Sequence, residues 1–127
     1  MLEGDWTALE GGNFLFPYAQ LRRAVNKEID LSDKDIKWAG GDLAREGDDQ
    51  SVFTIRQGSR VIYTDSWAKT DLMETTGLIL TKMEKFNLDP KNVNLDAVGV
   101  GAGVYDRLRE QKVMVNAITA GGEPMDK

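Results

Sequence analysis

Asp42 and Asp96 are the side chains in this sequence whose type and setting point most directly to chemistry. Each stands at or near the C-terminal end of a run that reads as a buried strand, Ile36 to Asp42 and Asn94 to Val98. If the two strands are parallel neighbours, their backbones lie about 4.8 Å apart. Two carboxylates at that spacing can converge on one cation or bracket two. A buried carboxylate without a partner is costly, so an acid at a strand end beside glycines asks for one. The chemistry such a pair serves is phosphodiester hydrolysis, in which metals ~3.5–4 Å apart activate a water and stabilise the leaving oxygen. The plainer reading has both aspartates capping turns, and spacing alone leaves the two readings open.

The loop Arg45-Glu46-Gly47-Asp48-Asp49-Gln50-Ser51 follows Asp42 at once. Glu46 or Asp49 either reaches the metal and its waters or serves the turn, where Gly47 permits a positive φ and Asp caps the local backbone. Arg45 is either a charge-assisted phosphate contact or a solvated surface residue. Val98-Gly99-Val100-Gly101-Ala102-Gly103-Val104 invites comparison with a dinucleotide fingerprint, but G-x-G-x-G is not G-x-G-x-x-G and does not follow the first strand of a βαβ unit. It is expected to be a tight strand-to-helix turn, whose N–H groups can help hold a phosphate at the helix start. No G-x-x-x-x-G-K-[ST] sequence occurs, so this chain carries no P-loop. Trp38, Tyr63 and Trp67 read as core or edge residues, not a base-stacking platform.

Composition narrows the metal. The sequence has no cysteine and no histidine, which removes disulfides, thiolate sites, zinc chemistry and a Ser-His-Asp mechanism. A metal here has to be a hard, oxygen-bound cation, Mg²⁺ or Mn²⁺. At 127 residues, 41% hydrophobic and 29% charged, the chain is expected to form one globular domain with a real core. No apolar run approaches the ~18 residues of a membrane span. Met1-Leu2-Glu3-Gly4-Asp5 lacks the basic and apolar regions of a signal peptide, so the cytoplasm is the expected location. The formal charge of -5 argues against a dedicated nucleic-acid-binding module, unless acids gather at a metal site and basic surface comes from elsewhere.

Positioning these acids requires a sheet. Residues 1–35 are expected to be a leading segment and linker with one helix, in which Leu21, Ala24, Val25 and Ile29 recur at helical spacing and Pro17 is the first helical residue. Residues 36–127 are expected to be the main domain. After the strand ending at Asp42, Val52 to Arg56 and Arg60 to Thr64 flank Gln57-Gly58-Ser59, a hairpin signal. Leu72, Met73, Thr76, Leu80, Met83 and Phe86 trace one face of a helix between Thr70 and Asn87, with Asp71, Glu74, Lys82 and Lys85 placed to suit its dipole. Asn94 to Val98 is a further strand; Gly99, Gly101 and Gly103 turn into a helix from Val104 to about Gln111; Val113 to Ile118 is a last strand. The order β-β-β-α-β-α-β predicts an α/β fold, an antiparallel meander joined to parallel strands through helical crossovers.

Two segments carry a family resemblance. Trp38 to Val52, WAGGDLAREGDDQSV, resembles the strand-loop-strand opening of the nuclease domain of phage terminase large subunits, which reads G-x-D-x-A and then a G-D-D-x-S turn. Leu95 to Leu108, LDAVGVGAGVYDRL, resembles that family's second acidic segment and the helix after it, and Leu2 to Trp6 is similar to the passage leaving its ATPase motor. The resemblance implies an RNase H-like mixed sheet, with Asp42 and Asp96 as first and second catalytic, metal-binding acids. It also implies Mg²⁺ or Mn²⁺ as cofactor and cleavage of concatemeric viral double-stranded DNA during genome packaging. The implied partners are the terminase ATPase motor, the small terminase subunit and the portal, in the host cytoplasm. Two departures accompany it: the ATPase motor is not in this sequence, and the sequence stops after Asp126-Lys127, before the family's third acid in an S-P-D-x-x-D-A type segment. An incomplete C-terminal part of the fold and weak or absent activity are therefore expected. The alternatives are a non-catalytic terminase remnant or partner-binding fragment of a packaging complex, and a nucleotide-binding RNase H-like domain of the actin or kinase type.

Overall fold

Strand alternation sets the architecture. In the computed structural model, which describes residues 15–44 and 49–121, every second residue of the first two strands turns inward. Ala39 and Gly41 of β1 (Lys37–Asp42) and Ser51, Phe53 and Ile55 of β2 (Ser51–Gln57) are buried, and Gly40, Asp42 and Arg56 between them are exposed. β1 pairs antiparallel with β2, and β2 with β3 (Arg60–Trp67), through a turn in which Gly58 has φ 53°. The chain then crosses through α2 (Leu72–Lys85) to β4 (Val93–Asp96), parallel to β1, and through α3 (Val100–Glu110) to β5 (Asn116–Ile118), parallel to β4. The sheet order is β3-β2-β1-β4-β5. This is the mixed α/β sheet that the element order predicts, with β1 at its centre. The nine-residue helix α1 (Tyr18–Asn26) lies in the first of two compact units, Met1–Asp30 and Leu31–Lys127.

The core lies between one face of the sheet and the helices α2 and α3. Phe53, Ile55, Val93 and Leu95 of the strands meet Ile79 of α2 and Val104 and Leu108 of α3, all with no exposed surface. Each such side chain contributes about 1.5–3 kcal/mol relative to exposure. α2 starts where its sequence says it should: Asp71 accepts from the Glu74 N–H at 2.8 Å and Glu74 returns a bond to the Asp71 N–H at 3.1 Å. Its inward face keeps most of the expected residues, with Leu72, Leu80 and Phe86 packed against the core, and adds Thr75, Ile79 and Lys82. Thr75, Thr76, Ile79, Lys82 and Met83 point inward, while Met73 is 55% exposed. The reason for Lys82 lies on β3, where Asp65 meets the Lys82 ammonium at 2.7 Å and the Trp67 and Tyr63 rings flank it at 5.0 and 5.9 Å.

Several boundaries differ from the sequence expectations. α3 begins at Val100 and not at Val104, so Gly101 and Gly103 are helical and Gly99 alone, at φ 67°, makes the turn. Those two glycines serve close approach: a Cβ on Gly101 would run into the Asp96 carbonyl oxygen, and one on Gly103 into Leu72. β5 is three residues long, because Val113 to Val115 return the chain from α3, with the Val113 N–H bonded to the Leu108 carbonyl at 2.9 Å. Pro17 is the N-cap of α1 rather than its first residue. Residues 31–35 are tied to the second unit: the Gln57 amide donates to the Ser32 carbonyl at 2.9 Å, and Asp35 lies beside Gly58. The start of the expected leading segment (residues 1–14) lies outside the described residues.

Candidate metal centre

The carboxylates owe their place to register. Ala39, Gly40 and Gly41 of β1 stand beside Val93, Asn94 and Leu95 of β4. One step further along both parallel strands, Asp42 stands beside Asp96, on the same sheet face and at the C-terminal end of both strands. On its other side Asp42 pairs with Val52, and Asp96 pairs with Ile118. Beyond Asp42 the backbone stays anchored, since the buried Ser51 hydroxyl accepts from the Ala44 N–H at 3.0 Å.

The two acids are held differently. Asp42 is exposed. Asp96 is half-buried, and its Oδ1 accepts from the Val98 N–H at 3.0 Å. Asp96 therefore does cap a turn, as the plainer sequence reading had it, and keeps its second oxygen for another contact. Both border an open cleft of ≈ 430 Å³ with Gly40, Gly41, Val52, Thr54, Asn94, Ile118 and Ala120. Thr54 and Asn94 are polar lining residues that the motif reading passed over. Their signal was the strand period, which puts Asn94 two residues before Asp96 on the same face. Asp49 is exposed and does not line the cleft, and Arg45 and Glu46 lie outside the described residues. Among the described residues no group of three acids is arranged to hold a metal ion. The charged donors of the cleft, the Asp42 and Asp96 carboxylates, are all oxygen and fit a hard cation.

Trp38, Tyr63 and Trp67 do not line the cleft. Trp38 lies on the cleft face under the Arg56 guanidinium, 5.8 Å from its ring centre, and Tyr63 and Trp67 pack against the core beside Lys82. Among the described residues no helix is long and apolar enough to cross a membrane.

No protein-family model matches the sequence, and no curated protein does. Solved structures do match in fold. A mutant nuclease domain of the large terminase subunit gp2 of bacterial virus Sf6, with manganese and beta-thujaplicinol, has a TM-score of 0.59 at 22% identity over 75% of this chain. The large terminase nuclease of the thermophilic phage G20c, with bound zinc, has a TM-score of 0.57 at 17% identity over 73% of this chain. This chain has the RNase H-like fold of a terminase nuclease domain. A Bacteroides thetaiotaomicron protein of unknown function with an actin-like ATPase fold has a TM-score of 0.51 at 7% identity over 67% of the chain, which reflects the sheet that these folds share. This chain spans 42% and 53% of the two terminase nuclease structures and 32% of the third.

Proposed function

We propose that this chain is the front portion of a phage terminase nuclease domain, and that Asp42 and Asp96 bind the divalent cation with which such a domain cuts double-stranded DNA. The observation that carries the reading is the parallel register that brings two strand-end aspartates side by side at the mouth of one cleft. The fold, shared with terminase nucleases crystallised with manganese or zinc, supports it.

Asp42, exposed at the strand end, offers its carboxylate to a cation arriving from solvent. Asp96 offers its free oxygen while the Val98 N–H fixes the other. Mg²⁺ or Mn²⁺, when bound, supplies a Lewis acid for the phosphodiester and an activated water. Without a cation the two negative charges repel a phosphate, so DNA and metal engage the cleft together. Thr54 and Asn94 give the cleft floor neutral hydrogen-bonding groups that do not compete with the carboxylates for charge. The terminase motor, small subunit and portal are the partners this reading brings, and the host cytoplasm the place of action.

The test is nicking of supercoiled plasmid in Mn²⁺ and in Mg²⁺. Activity that depends on the metal and disappears in Asp42→Ala supports the reading. A folded wild-type chain that cuts in neither metal, or an Asp42→Ala variant that cuts equally well, rejects catalysis by this chain and leaves the non-catalytic packaging fragment in its place.

A further inference from the structure

Beneath the two aspartates a row of side chains crosses the exposed sheet face, in the register Thr64, Thr54, Gly40, Asn94, Asn116. On the side toward Asp96 this row is a chain of amide hydrogen bonds. Asn94 Nδ2 donates to the Ala39 carbonyl of β1 at 3.2 Å. Asn94 Oδ1 accepts from Asn116 Nδ2 of β5 at 3.2 Å, and that same nitrogen donates to the Lys91 carbonyl at 2.7 Å. One side chain thus ties together the strand bearing Asp42, the strand bearing Asp96 and the strand beyond it.

We infer that Asn94 is a positioning residue that holds Asp42 level with Asp96. Burial alone does not fix that level. Val93 and Leu95 face the core, so a slip of one residue is penalised because it turns them to solvent. A slip of two residues keeps every side chain on its own face and moves Asp96 about 7 Å along the strand, away from Asp42. In the observed register the bond from Asn94 to the Ala39 carbonyl and the bond to Asn116 together tie β1, β4 and β5 two residues below the acids. The inference rests on the reading of the aspartates as a metal site, and it adds the residue that keeps them in line.

The experiment is Mn²⁺ titration followed by electron paramagnetic resonance, with urea unfolding of the same samples. Asn94→Leu, which suits a half-buried strand position and removes both bonds, is expected to weaken Mn²⁺ binding about tenfold, as for loss of an outer group around a metal site, at an unfolding midpoint close to wild type. Asn116→Ala, an exposed position whose loss leaves the Ala39 bond intact, is expected to weaken it less. Thr64→Val, in the same row but on β3, is expected to leave it unchanged. If folded Asn94→Leu binds Mn²⁺ as wild type does, the inference fails and the metal site stands. Should Asn94→Leu not fold, Asn94→Val, β-branched and equally unable to bond the Ala39 carbonyl, takes its place, and wild-type affinity in that variant overturns the inference instead. A wild-type chain that binds no Mn²⁺ removes the metal site, and the inference with it.

Discussion

Two helical glycines should respond in opposite directions to the same substitution. Gly77 lies on the exposed face of α2, and an added Cβ there meets nothing within 4 Å. Gly77→Ala then carries only the helix-propensity difference, a gain of about 0.8–1 kcal/mol. Gly101 in α3 has the same propensity to gain, but its Cβ would land on the Asp96 carbonyl oxygen, a backbone atom at the end of β4. Relieving that overlap means moving α3 off the sheet or displacing Asp96. Overpacking of this kind costs about 3 kcal/mol at the upper end of its usual range, which leaves a net loss of about 2 kcal/mol after the helix gain. Urea unfolding with a slope of about 1.5 kcal/mol/M would show Gly77→Ala raising the midpoint by about 0.6 M and Gly101→Ala lowering it by about 1.3 M. If Gly101→Ala also raises the midpoint, the close approach of α3 to Asp96 is wrong. The reading of Gly101 as a residue of close packing then fails with it.

Asp65 and Asp71 give two further expectations. The hydrogen bond from Lys82, helped by its charge and by the Ser66 N–H and opposed by partial burial, holds the Asp65 carboxyl below its usual value. A lowered folded value means that its stabilisation is complete above the unfolded pKa of about 3.9 and is lost as pH falls through the folded value. Asp65→Asn should therefore cost about 1 kcal/mol at neutral pH, a figure kept small by the exposed side of the pair, and the gap to wild type should close in acid below about pH 4. A gap that persists unchanged at pH 2 would remove the ion pair as its cause. Asp71→Ala removes the side-chain acceptor of the capping box at the start of α2, leaving only the bond from the residue-71 N–H to Glu74, and should cost about 1 kcal/mol, near 4 °C in Tm by calorimetry. An unchanged Tm would mean that the cap contributes nothing.

What could be read from the sequence was what local rules govern. The strand ending at Asp42, the hairpin around Gly58 and the helix whose start carries Asp71 and Glu74 are each written within a few residues, and each stands in the structure. Contacts between distant segments were not legible. Gly101 and Gly103 look locally like turn residues, and only the packing of α3 on Asp96 and Leu72 shows why a helix tolerates them. Lys82 looks like a solvated charge at a helix end, because its partner Asp65 is on another element. At the site, the residue type and strand-end position of Asp42 and Asp96 were visible, but their adjacency was conditional on β4 lying next to β1. Asn94 was invisible as anything but a polar strand residue until Ala39 and Asn116 were placed beside it.

The central claim is that Asp42 and Asp96 act together on one divalent cation. Mn²⁺ binding measured by electron paramagnetic resonance on wild type, Asp42→Ala and Asp96→Ala tests it most directly. The account predicts saturable binding by the wild type and a loss of at least about tenfold in each variant, since removing a ligand should cost no less than removing a group behind one. Equal binding by all three proteins, or a loss in one variant and not the other, would contradict it.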